Sequence, residues 1–260
     1  MQQSNSNSNQ ILLPLLTLVA IIAAFAVNVW SNFFPIGGLS IGDISNTVFK
    51  DVLIIPANYA FAIWGLIYLG LFAFGVYQIL PTQRNNPYLR KARLFLIIAS
   101  IAQIAWVYLF LLRMFWLSVV AMLFILVPLI GAVLQLSSAN TMTRAYKWYA
   151  RIPISIYLGW ISVATIVNVA SALFASGWNG GGISPTTWTI IMVLIAISLA
   201  SIMTTKYQDI AYTLVTIWAL IAIAFKHSNN LALLTVTISG AVALLILIIL
   251  LLPRLNAHRV

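Results

Sequence analysis

The sequence contains no cysteine and no glutamate, and its 260 residues include only three acids, Asp43, Asp51 and Asp209. Without cysteine there is no disulfide, no thiolate metal ligand and no thiol nucleophile. The three acids fall in predicted loops or at a span boundary, so no span offers a carboxylate pair for acid–base catalysis. Intramembrane carboxylates are the usual marks of proton relays and cation coupling, and their absence argues against an ion-coupled pump. Histidine is almost as scarce: His227 and His258 both fall at predicted helix ends, which disfavours a histidine-rich metal site. Charge as a whole is rare, with 6% of residues charged, 63% hydrophobic and a mean hydropathy of +1.05.

Such a composition belongs to integral helical membrane proteins. The apolar runs are continuous and do not alternate, which excludes a transmembrane β-barrel. The expected fold class is therefore all-α, a polytopic transmembrane helix bundle of about eight spans. The net charge of +10 does not point to nucleic acid, because the basic residues lie between spans, where they orient the chain, and no soluble basic domain is left to hold a nucleic acid.

The eight spans read as Ile11–Trp30, Pro56–Leu80, Leu94–Leu112, Met114–Gln135, Ile152–Ser176, Thr187–Thr205, Ile210–Phe225 and Leu231–Leu252, the seventh being the shortest. Residues 1–10 are polar and uncharged and read as a disordered N-terminus. No basic residue precedes the first span, so it reads as a retained helix and not as a signal peptide. With eight spans, both termini share a side that collects ten basic residues against three (Lys50, Arg113 and Lys226) on the other. The positive-inside rule then places both termini in the cytoplasm.

The aromatic residues are patterned. Phe61, Trp64, Tyr68 and Phe72 follow steps of three, four and four along the second span. Gln103, Trp106 and Phe110 step by three and four on the third, and Tyr157, Trp160, Ala164 and Asn168 by three, four and four on the fifth. At about 100° per residue each set occupies one helix face. Interface anchoring accounts for Trp30, Trp148, Trp178 and Trp188 near span ends; Trp64, Trp106 and Trp160 lie well inside. Counting about 1.5 Å per residue, Trp64 and Trp106 share a depth, with Asn168 nearer the outer surface and Trp160 deeper. An aromatic-walled space with a few amides suits a flat, largely apolar ligand.

These faces resemble the TspO/MBR family, the tryptophan-rich sensory proteins related to the translocator (peripheral benzodiazepine receptor) protein. Pro56, Tyr59, Phe61, Trp64 and Tyr68 fit its second-helix pattern. Trp106 and Phe110 fit its third-helix element, and Tyr157, Trp160, Ala164 and Asn168 its fifth. This sequence departs in having one proline where the family has two, Tyr59 in place of tryptophan and Gln103 near the family's asparagine. The family's sterol-recognition pattern is absent after Ala172. The resemblance covers roughly residues 11–180 and leaves 181–260 as three additional helices. It implies a membrane receptor or carrier, not an enzyme, that binds a porphyrin, haem-like or related tetrapyrrole without covalent attachment, with roles in transport or sensing.

The alternative is a structural or assembly partner of a larger membrane complex, motivated by the three unmatched helices. Expected partners are membrane lipids, a hydrophobic small molecule and a homo-oligomeric or complex partner. The connection 31–55 is long and apolar for a linker. Its Phe33, Phe34 and Phe49 suggest a lid over the outer mouth of the ligand space, with glycines for sharp turns.

Overall fold

The computed structural model describes residues 2–139 and 143–257, with side chains described over 11–139 and 143–251. The helices are α1 (Gln2–Phe33), α2 (Ile41–Thr47), α3 (Ile63–Ile79), α4 (Pro81–Arg84), α5 (Pro87–Leu111), α6 (Phe115–Ser137), α7 (Arg144–Tyr146), α8 (Ile152–Ala175), α9 (Pro185–Tyr207), α10 (Ile210–Lys226) and α11 (Leu231–Ala257). A 3-10 turn covers Asn58–Ala62, another Gly180–Gly182, and a π-helical turn, Lys147–Arg151, leads into α8. No strand occurs among the described residues. Seven helices are long and apolar enough to cross a bilayer, and α10 is a shorter apolar helix of 17 residues. At about 1.5 Å per residue α10 reaches roughly 25 Å, against a hydrocarbon core of about 30 Å. The chain is an all-α, multi-pass integral membrane protein, as its composition requires.

Several boundaries differ from the hydropathy reading. The α5 helix starts at Pro87, seven residues before Leu94, because Asn86 caps it by accepting from the backbone N–H of Tyr88 and Leu89, and Pro87 occupies the first position. Arg90, Lys91 and Arg93 therefore sit on its first two turns and not in a loop. The α3 helix starts at Ile63 and not at Pro56, with the 3-10 turn ahead of it. The backbone of α1 is helical from Gln2, where the sequence suggests a disordered stretch over 1–10, and its apolar span begins at Ile11. Met1, His258 and Arg259 lie outside the described residues.

The chain forms two compact units, residues 1–41 with 63–158, and 42–62 with 159–260. The division at residue 180 suggested by the resemblance falls inside the second unit. In the first unit α1 lies against α3 and α5, and α5 pairs with α6. Close approach depends on small residues: a Cβ on Gly131 would sit 2.9 Å from the Phe95 ring, and one on Gly75 2.7 Å from Leu18. The α5–α6 connection closes with Arg113 in the left-handed region (φ 59). Met114 N–H donates to Leu109 O (2.9 Å) and Arg113 N–H to Phe110 O (3.0 Å), the double bond pattern of a Schellman turn with arginine in the usual glycine place.

The first unit also buries a cation. Arg93 is 1% exposed. Its Nε donates to Gln78 Oε1 (2.9 Å), its Nη1 to Arg84 O (2.8 Å), and its Nη2 to Gln78 O and Gln83 O (both 2.9 Å). Gln78 Nε2 in turn donates to Pro14 O (3.2 Å), so one guanidinium links the ends of α3 and α4 to α5 and, through Gln78, to α1. The last carbonyls of a helix carry the negative end of its dipole, so a cation among them is favourably placed.

In the second unit α10 packs against α9 and α11. Gln208, left-handed at φ 52, ends α9, and the buried Asp209 caps α10 by accepting from Tyr212 N–H (3.1 Å). The Thr204 and Thr213 hydroxyls meet below this cap. The 42–62 stretch is docked on α10: Ala57 N–H donates to Ala222 O (3.2 Å) and the Trp218 indole N–H to Ala60 O (3.1 Å). Ile44, Phe49, Val52, Ile54 and Ile55 of this stretch are buried.

Candidate ligand-binding site

The α3 helix begins where the 3-10 turn opens into α geometry, and this sets the register of Trp64 and Tyr68 one turn apart. Their rings stack at 5.6 Å. The Tyr68 hydroxyl donates to Ala24 O of α1 (3.2 Å), and Phe25 meets Tyr68 and Phe72 edge to face at 5.0 and 5.2 Å. Trp64 also meets Tyr157, near the start of α8, at 6.0 Å. The Tyr157 hydroxyl reaches Gln103 Oε1 of α5 (3.3 Å), and the Gln103 amide nitrogen is buried without a partner. Trp106 and Phe110, one turn further along α5, stack at 5.2 Å, and Phe110 meets Phe115 at 5.4 Å. The first unit therefore brings Trp64, Tyr68, Tyr157 and Gln103 together across three helices, with Trp106 and Phe110 on the same face of α5. An unpaired buried amide N–H is costly in an apolar interior and has the chemistry to bind an acceptor.

The remaining expected residues belong to the second unit. Phe61 lies in the 3-10 turn and not on α3, and meets Trp160 of α8 edge to face at 5.9 Å. Along α8 the face begun by Tyr157 continues through Trp160 and the half-buried Ala164 to the buried Asn168. A cavity of about 20 Å³, lined by Ile54, Val163, Ile166 and neighbouring apolar side chains of α9 and α10, lies in this unit. It is the size of one water and offers that water no polar wall.

The 31–55 connection is divided. Phe49 is fully buried and meets Phe174 at 6.1 Å. Phe33 and Phe34 are 74% and 61% exposed, and Phe34 packs on Trp30 of its own helix end at 4.4 Å. The stretch carries its own short helix, α2, with the Thr47 hydroxyl bonded back to Asp43 O (2.7 Å).

Sequence reasoning did not single out Phe25, which has no partner at matching spacing on α1. It also missed the second aromatic group, in which Tyr59 meets Trp218 at 5.2 Å and Phe225 at 5.6 Å. The seven-residue step from Trp218 to Phe225 along α10 was legible. At the far end of α10 the His227 imidazole is held below its ordinary pKa by burial and by the charge of Lys226, against a bond with the Leu53 backbone that works the other way. Both Lys226 Nζ and His227 Nε2 are buried without a hydrogen-bond partner. Among the described residues no three His, Cys, Asp or Glu side chains come together where they could hold a metal ion.

The fold and its interior define a polytopic helical membrane protein with aromatic faces turned inward. A family profile, that of the TSPO-like proteins, matches residues 14–251, and the chain belongs to that family. The match runs on through α9, α10 and most of α11, beyond the residue-180 limit of the motif resemblance. No curated protein matches the chain, and no solved structure does.

Proposed function

We propose that this protein is a membrane receptor or carrier for a flat, largely apolar ligand of the porphyrin class, bound against the aromatic cluster of α3, α5 and α8. The observation that carries the reading is Gln103. Its amide nitrogen is buried and unpaired beside Tyr157 and Trp64, in a cluster whose other contacts are ring to ring. A tetrapyrrole presents a wide π-face for the rings and acceptor groups for the amide N–H. Ring pairs at 5.2–6.0 Å exchange one aromatic partner for another on binding, at modest net cost. Neither this site nor the few acids of the chain supplies a nucleophile or acid–base pair, so the reading is binding and not catalysis. Ten basic residues against three orient both termini to the cytoplasm if α10 crosses the membrane.

Titration with protoporphyrin should quench tryptophan fluorescence, and Trp64→Ala or Trp106→Ala, both in the first unit, should weaken that quenching. Unchanged affinity in both variants would overturn the site. A second reading, an assembly partner in a larger membrane complex, draws on α9, in whose apolar span only 17% of residues are buried. Stoichiometric partners recovered with a protein that binds no porphyrin would favour it.

A further inference from the structure

We propose that the first unit carries a binding site for anionic phospholipid headgroups, at the end where α3 and α6 finish and α5 and α8 begin. Arg84, Arg90, Lys91, Arg144, Lys147 and Arg151 gather there. Residues 1–41 and 63–158 contain no aspartate or glutamate at all, since Asp43, Asp51 and Asp209 all belong to the second unit.

Side-chain contacts fix the placement. The Tyr77 and Tyr149 rings lie 5.7 Å apart, joining the end of α3 to the π turn. Tyr146 donates to Leu136 O at the end of α6 (3.3 Å) and lies within electrostatic reach of Tyr77, Tyr88 and Arg151. Arg84 is pinned by its own Nε bond to Ile79 O (2.8 Å), and its carbonyl is held by Arg93 (2.8 Å). Arg90 and Lys91 are exposed on the first turn of α5, just beyond Tyr88. The patch is thus assembled from three sequence segments on a rigid base.

The π turn supplies the second half of the argument. Its wider winding lets Lys147 and Arg151, four residues apart, sit half-buried while Trp148 and Tyr149 between them stand 56% and 48% exposed. Such single π turns inside α-helices are frequent at functional sites. Tryptophan and tyrosine with one apolar face and one polar edge settle at headgroup level. Guanidinium forks match the oxygens of a phosphodiester. Rings at the interface with cations beside them describe a surface for a phosphate that is attached to a lipid. A soluble anion would make no use of the exposed rings.

The test is native mass spectrometry of the full chain released from nanodiscs made with equal phosphatidylglycerol and phosphatidylcholine. Phosphatidylglycerol should be retained preferentially. Lys147→Gln with Arg151→Gln should weaken its retention about thirty-fold, from the summed worth of two cations beside an anionic headgroup. Arg113→Gln, at the opposite end of α5, should leave it unchanged. Millimolar inorganic phosphate should not compete. Equal retention of both lipids, an unaffected double variant, or displacement by phosphate alone would each overturn the proposal. Should the double variant not fold, Arg90→Gln with Lys91→Gln, both exposed, gives the same reading.

Discussion

Replacing Arg93 by methionine keeps an unbranched stem as far as the Nε position and removes every donor. Four bonds are lost. The two to Gln78 are buried, and a charge-assisted bond of that kind contributes about 1.5 kcal/mol or more. The two to Arg84 O and Gln83 O are part-buried, so water can replace the donor and each counts for about 0.5 kcal/mol. The expected cost is about 4 kcal/mol, within the range for breaking a buried polar network. Lysine in the same place keeps the charge near the helix-end carbonyls but brings a single ammonium, and it should lose roughly half of that. Thermal and denaturant unfolding in detergent, followed by tryptophan fluorescence, would measure both. Gln78→Leu supplies the third corner of a double-mutant cycle, and Arg93 and Gln78 should couple by at least about 1 kcal/mol. If Arg93→Met costs less than about 1 kcal/mol, as an exposed arginine would, the carbonyls do not depend on the guanidinium and the reasoning is wrong.

Phe49→Ala should destabilise by about 3–4 kcal/mol, because the ring is fully buried against Phe174, while Phe33→Ala with Phe34→Ala should leave unfolding nearly unchanged and so separate the docked half of the connection from its exposed half. His227 is pushed below its ordinary pKa, so the unfolded chain takes up a proton first as pH falls. Stability should therefore decline as pH drops below about 6.5 and should decline less in His227→Gln, as melting at two pH values would show.

Much of the fold was open to inspection because a bilayer imposes long apolar runs. The spans were legible to within a turn or two wherever hydropathy alone sets the boundary, as at α6 and α10. The start of α5 was not, because a hydropathy window penalises Arg90, Lys91 and Arg93 even when the helix runs through them. Asn86 followed by Pro87 was the available signal. The aromatic faces were legible as helix periodicity, and α8 keeps its face from Tyr157 to Asn168. Periodicity could not show that Phe61 sits in a 3-10 turn and pairs with Trp160 in the second unit while Trp64, three residues on, pairs with Tyr157 in the first. Nor could residue type distinguish Phe49 from Phe33. That difference arises because α2 and its following turns place Phe49 at a docked position, whereas Phe33 ends α1.

The docking of 42–62 on α10 has a consequence for how the protein is made. Ala57 and Ala60 leave the ribosome more than 150 residues before Trp218 and Ala222, the groups they bond. Through most of synthesis this early stretch has no native partner for that backbone N–H or that carbonyl. Until the late helices are made, those two groups need water or another substitute partner. Biogenesis of the second unit is therefore a closing step that can occur only near the end of translation. A chain stopped after α8 would hold every aromatic face of the family motif and still lack the helix on which its own early segment comes to rest.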